Sequence, residues 1–128
     1  MTSAPPVHAV PERAAAGYLV AQAAAVGVWW GAVLFSQQVR SWFFPYGGLD
    51  PAFVAFLLPD LAFIAGGSLV VARHKRRGRS APRASGILLG AVGYATLYTL
   101  LWTILLQAPP GSAVAMVVLA IGTWRASR

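Results

Sequence analysis

Four residues have the chemistry to act inside an apolar environment: Asp60, Tyr94, Tyr98 and Thr99. Asp60 stands in the stretch LLPDLAFIAG, residues 57–66, with apolar neighbours on both sides. A carboxylate near the middle of a membrane span costs about 2.5–3.5 kcal/mol on insertion scales, so it must face protein or water. Two kinds of chemistry would use it: coupling to a proton or ion, or contact with a ligand or partner. A structural role competes with both. Pro59 removes one backbone hydrogen bond and frees the carbonyl of Ala55, which predicts a bend at Leu58–Pro59 with Asp60 capping the helix beyond it. Counted from the basic ends of the two spans, Asp60 lies at the depth of Leu97. That brings Tyr94, Tyr98 and Thr99 into range, and the tyrosine hydroxyls are the expected hydrogen-bond partners. No basic residue falls within a span, so an ion pair would require Arg40 to fold inward.

The rest of the search for catalytic chemistry is negative. Ser36, Ser68, Ser85 and Ser112 have no histidine at a useful depth, because His8 precedes the first span and His74 lies in a basic loop. Two separated histidines without an acidic cluster do not make a metal site. There is no cysteine, and hence no disulfide, thiolate ligand or thiol redox chemistry. No cofactor motif and no phosphate-binding glycine loop is present, and no enzymatic activity is expected.

These residues must be positioned by membrane helices. Of the 128 residues, 58% are hydrophobic and 10% charged, against roughly 45–50% and about 25% in soluble proteins. Apolar runs approach the 20 or so residues needed to cross a hydrocarbon core of about 30 Å. The expected fold class is all-α: an integral membrane four-helix bundle, multi-pass in the cell membrane. Residues 1–13 read as a flexible cytoplasmic tail and not as a signal peptide, lacking basic residues before the apolar run. Residues 14–128 form the membrane domain, with spans at about 14–35, 51–72, 84–107 and 110–124. Asp50 and Pro51 mark the start of the second span as cap and first helical residue. The fourth span covers only roughly 22 Å and must borrow residues at its ends. Between the first two spans, Trp42, Phe43, Phe44 and Tyr46 suit an aromatic belt at the headgroups, Trp29 and Trp30 suit the same boundary, and Gly47 belongs to a turn.

Orientation follows from charge. The net charge of +7 would suggest nucleic acid in a soluble protein, but here topology explains it better and no nucleic-acid partner is expected. Six of the ten basic residues, Arg73, Lys75, Arg76, Arg77, Arg79 and Arg83, fall between spans two and three. Arg13, Arg125 and Arg128 share their side in a four-span reading, and Arg40 alone lies opposite. Nine against one puts both termini in the cytoplasm. It also makes Arg73, Lys75, Arg76, Arg77 and Arg79 candidates for contact with anionic lipid headgroups.

The third span sorts into stripes at 100° per residue. Tyr94, Tyr98 and Trp102 share one face, Thr96, Thr99 and Thr103 lie roughly opposite, and Gly86, Gly90 and Gly93 form a third stripe. Glycines admit close helix approach and hydroxyls bond across helices, so this span is expected at the centre of the bundle. The simpler account of the threonines is bonding to their own preceding turn. Ala23, Gly27 and Gly31 make a similar packing stripe on the first span, expected to meet another helix of the same chain. Gln22 is expected to form an interhelical hydrogen bond.

The leading functional expectation is a small non-enzymatic membrane protein acting as an accessory or interaction subunit, with a partner membrane protein or copies of itself. The alternative is a transporter or channel for a small solute or ion, in some cases homo-oligomeric, with Asp60 in its path. A cavity reaching Asp60 would favour transport, and an apolar groove on one outer face would favour the subunit role. Length and span number are shared with several families of small transporters and channels. The first span nevertheless carries no membrane glutamate and no family motif is present, so no family is assigned.

Overall fold

A computed structural model describes residues 9–45 and 48–128. Residues 1–8 of the expected tail, together with Tyr46 and Gly47, lie outside the described residues. Five helices make up the fold, and there is no strand among the described residues. They are α1 (Ala9–Phe35), α2 (Gln37–Phe43), α3 (Pro51–Arg76), α4 (Pro82–Leu105) and α5 (Gly111–Ser127). The segments Pro11–Phe35, Pro51–Arg76 and Pro82–Leu105 are long and apolar enough to cross a membrane. Helix α5 has 17 residues and spans roughly 26 Å. It gains length over the expected 110–124 by running on to Ser127.

Helix α1 starts inside the stretch read as a tail. Pro11 is its third residue, and the first four N–H groups of a helix have no intrahelical partner, so a proline there loses nothing. The far end of α1 is closed by Arg40, whose Nη1 donates to the carbonyls of Val33 at 3.1 Å and Leu34 at 3.0 Å. Those carbonyls have no partner within α1, and a cation beside them also meets the negative end of the helix dipole. Arg40 therefore does not turn toward Asp60. Ser36 caps α2 by accepting the Val39 N–H at 3.3 Å.

Helix α3 begins as the sequence predicts, with Asp50 Oδ1 accepting the Ala52 N–H at 2.8 Å ahead of Pro51. Its ladder is irregular from Ala55 onward. The missing N–H of Pro59 leaves a turn at Ala55–Phe56, and Asp60–Ala65 widens into a π-turn in which Gly66 N–H reaches back five residues to Leu61 O. The helix ends on Gly78, whose φ of +62° closes the terminus with Gly78 N–H on Lys75 O and Arg79 N–H on His74 O. Only glycine takes that conformation at no steric cost.

Helix α1 packs on α3 and α5, and α4 packs on α3 and α5. Helix α4 is thus flanked on two sides, not surrounded, and its central placement is corrected. Tyr94, Leu97, Leu101 and Ile104 point outward. The buried core runs through Leu19, Trp30, Val33, Phe44, Phe53, Ile64, Val71, Leu88 and Val92. Phe44 is only 2% exposed and packs edge-on against Phe53, with ring centroids 4.9 Å apart. It belongs to the core and not to an aromatic belt, whereas Trp42 is exposed. Short α2 docks on α5 where Gly111 lets the Phe43 ring approach closely.

Candidate functional site

Asp60 has a partner that the sequence did not suggest. Trp30 Nε1–H donates to Asp60 Oδ2 at 3.0 Å. Trp30 is 1% exposed, so it is a core residue and not an interfacial one. The expected cap is corrected as well. Asp60 has helical dihedrals, φ −63° and ψ −46°, whereas an N-cap residue sits in the extended region. Its carboxylate accepts no backbone N–H among the described residues, and no tyrosine hydroxyl reaches it. Asp60 instead continues the helix, its own N–H bonded to Phe56 O at 2.8 Å, past the turn at Ala55–Phe56.

Space opens on both sides of the carboxylate. A cavity of about 400 Å³ is bounded by all four longer helices, with Asp60, Trp29, Phe53, Phe56, Tyr98 and Ser112 among its lining residues. Its rim includes the exposed residues Ala25, Ala115 and Val118 of α1 and α5. A second space, an open groove of about 580 Å³ between α3 and α4, carries Tyr94, Gly90, Ile87 and Phe63 on its walls. Phe56, Asp60, Ile64 and Ala95 line both and form the partition. The structure therefore gathers Asp60, Tyr98 and Thr99 around the inner cavity and sends Tyr94 to the outer groove. Tyr98 lies against Phe56, with centroids 4.0 Å apart, and Tyr94 stacks on the same ring at 6.0 Å. The tyrosines contribute aromatic faces here and not hydroxyl partners.

Sequence reasoning missed Trp30, Phe53, Phe56 and Ser112. One signal was available for Trp30. Adjacent helical residues point about 100° apart, so Trp29 and Trp30 could not share one outward boundary. Two buried polar atoms at the cavity have no partner among the described residues, Ser112 Oγ and Trp29 Nε1. Ser112 is 4% exposed, and an unpaired buried hydroxyl costs about 1–3 kcal/mol. The threonines bond mainly to their own helix, and Thr96 also meets Met116 O of α5 at 3.2 Å. Thr96, Thr99 and Thr103 donate to the carbonyls of Val92, Ala95 and Thr99 at 2.7, 2.9 and 2.8 Å.

Away from the cavity, Gln22 ties three helices together. Its Nε2 donates to Ser68 Oγ at 3.0 Å, and Thr123 Oγ1 donates to its Oε1 at 2.9 Å. All three residues are buried, which matches the expected interhelical bond. The glycine stripes behave differently. A Cβ at Gly27, Gly31, Gly86, Gly90 or Gly93 would meet nothing within 4 Å. None of these glycines lies at a close contact within the chain, so their intramolecular packing role is corrected. The tight approaches are at Gly111 and at Gly122, which faces the Tyr18 ring.

The basic residues Arg73, Arg76, Arg77 and Arg79 are exposed at the end of α3 and in the loop beyond, with Lys75 partly covered. Among the described residues no group of three His, Cys, Asp or Glu side chains could hold a metal ion. Among the described residues Asp60 has no second carboxylate and no histidine beside the cavity to complete a proton-transfer pair. The arrangement is suited to holding a small molecule between aromatic faces and a carboxylate. No family model, no curated protein and no solved structure matches this chain.

Proposed function

We propose that the protein is a multi-pass membrane protein that binds a small solute in the cavity beside Asp60 and carries it across the bilayer. In this reading α1, α3, α4 and α5 form a four-helix membrane bundle with both termini in the cytoplasm. The observation that carries the functional reading is the space around Asp60. The helices stand apart beside Asp60, a carboxylate in the middle of a span, and the inner cavity falls within the roughly 300–1,000 Å³ of small-molecule sites. Outward-facing apolar side chains such as Val28, Leu58 and Ile104 suit a lipid surround. The exposed arginines at the end of α3 would meet anionic headgroups on the cytoplasmic side.

Orientation has a direct check. A cysteine introduced at Ser80 should react with an impermeant maleimide only from the cytoplasm, and one at Gly48 only from outside. Labelling of both from one side would refute the four-span topology.

The solute-binding reading is tested in lipid nanodiscs with benzyl-sized cationic, neutral and anionic compounds, read by quenching of tryptophan fluorescence. At least one class should quench saturably, because Trp29 lines the cavity. Ala95→Leu, which adds volume at the partition, should weaken that quenching while leaving the unfolding temperature close to wild type. No saturable quenching by any class would overturn the reading. Binding without uptake into proteoliposomes would favour the accessory-subunit role. That second reading rests on the unpacked glycines Gly86 and Gly90 of α4, which leave a smooth outer face for another helix.

A further inference from the structure

We infer that the cavity beside Asp60 selects monovalent organic cations with an aryl or compact branched body. This deepens the solute-binding reading and rests on it. Among the described residues Asp60 supplies the only formal charge on the cavity wall, and no lysine, arginine or histidine lines it. Arg40, the nearest candidate in sequence for an internal counter-ion, is committed to the carbonyls at the end of α1. A carboxylate has about four lone-pair sites. Trp30 occupies one on Oδ2, and Oδ1 has no partner among the described residues. Trp30 thus fixes the carboxylate from behind while one oxygen stays available to a ligand.

The remaining walls are aromatic. Trp29, Phe53, Phe56 and Tyr98 line the cavity, and the negative quadrupole of an aromatic face attracts a desolvated cation. Ser112 adds a buried hydroxyl oxygen without a partner among the described residues, suited to an ammonium N–H. The same walls argue against other occupants. A bare metal ion such as sodium or calcium requires several oxygen ligands, and this site has one carboxylate and the three hydroxyls of Tyr98, Thr99 and Ser112, of which that of Thr99 is bonded to its own helix. An anion would meet Asp60 with no compensating charge. A neutral apolar molecule would fill the volume but leave the carboxylate without a counter-charge in a medium of low dielectric.

The test uses two probes of the same shape that differ in charge, benzyltrimethylammonium and neopentylbenzene. Binding to the full-length protein in nanodiscs is read by tryptophan quenching, with each probe expressed as its membrane-phase concentration. The wild type should bind the cation about tenfold or more tightly than its neutral isostere. Asp60→Asn keeps an acceptor for Trp30 but loses the charge, and it should bring the two affinities together without weakening neopentylbenzene. Should Asp60→Asn fail to fold, Tyr98→Leu removes one ring face and should cut the preference several-fold. Ser112→Ala should weaken benzylammonium and leave benzyltrimethylammonium unchanged. Equal affinity of the two isosteres for the wild type would overturn the cation selection while leaving solute binding in place. Absence of binding by both would overturn solute binding as well. A preference that survives in folded Asp60→Asn would remove Asp60 from the site.

Discussion

Trp30→Ala is expected to destabilise the protein by about 3–5 kcal/mol, enough to abolish folding in mild detergent if stability is ordinary. The indole is 1% exposed and meets Trp29 edge-on with centroids 4.8 Å apart. Truncation leaves a void that the surrounding α1 and α3 backbones cannot fill. It also leaves Asp60 without its donor, and an unpaired acceptor in this setting adds its own desolvation cost. The two contributions can be separated. Trp30→Phe keeps a six-membered ring and loses the N–H with part of the indole volume, so it should cost less than the alanine change, about 1–3 kcal/mol. Asp60→Leu alone should be harmful, because it leaves the buried indole N–H unpaired. Combined with Trp30→Phe it should be milder than the sum of the single changes, since both partners are then gone. Thermal unfolding of the purified variants provides the comparison. If Trp30→Ala unfolds at the wild-type temperature, Trp30 is not part of the core and the position assigned to Asp60 is wrong.

The sequence was most legible where a residue has one physical option. Asp50–Pro51 can only begin a helix, and it does. Gln22 in an apolar span requires a polar partner, and it finds Ser68 and Thr123 on two other helices. Asp60 has to face protein or space, and it borders both. Legibility failed where residues had several options. In a soluble domain an apolar stripe points inward, but lipid tails are as apolar as leucine, so an apolar side chain carries no information about facing. The threonines of α4 looked like groups in search of neighbours, yet Thr99 and Thr103 are satisfied by their own preceding turn and Thr96 alone of the three also reaches another helix, at Met116 O. Phe44 and Trp30 had the composition of an interfacial belt, and only the chain path through α2 turns Phe44 back onto Phe53. The cavity is the least legible feature of all. It arises from the widened turn at Asp60–Ala65 and from the rings around Phe53, and neither follows from a pattern of residue types.

Glycine provides the sharpest instance, and it leads to the second large effect. The GILLG motif spanning Gly86 and Gly90 predicts close helix packing, and on that ground Gly90→Leu should be costly. The structure gives a Cβ at Gly90 open space and gives one at Gly122 a collision with the Tyr18 hydroxyl and ring. Gly122 belongs to no pair of glycines so spaced, and it lies one residue before Thr123, which binds Gln22. Helices α1 and α5 are therefore drawn together at this level by a buried hydrogen bond, and only a residue without a side chain permits the Tyr18 ring between them. Gly122→Ala should cost about 1–3 kcal/mol as an overpacked contact, and Gly122→Leu more. Gly90→Leu should leave the unfolding temperature of the isolated protomer nearly unchanged. Tyr18→Ala should absorb much of the penalty of Gly122→Ala, so the double variant should be more stable than additivity predicts. Strict additivity would show that the ring is not what Gly122 accommodates. If Gly90→Leu is the more damaging of the two leucine substitutions, the face of α4 that carries Gly90 is packed against something, and the α1–α5 seam is not the tightest in the protein.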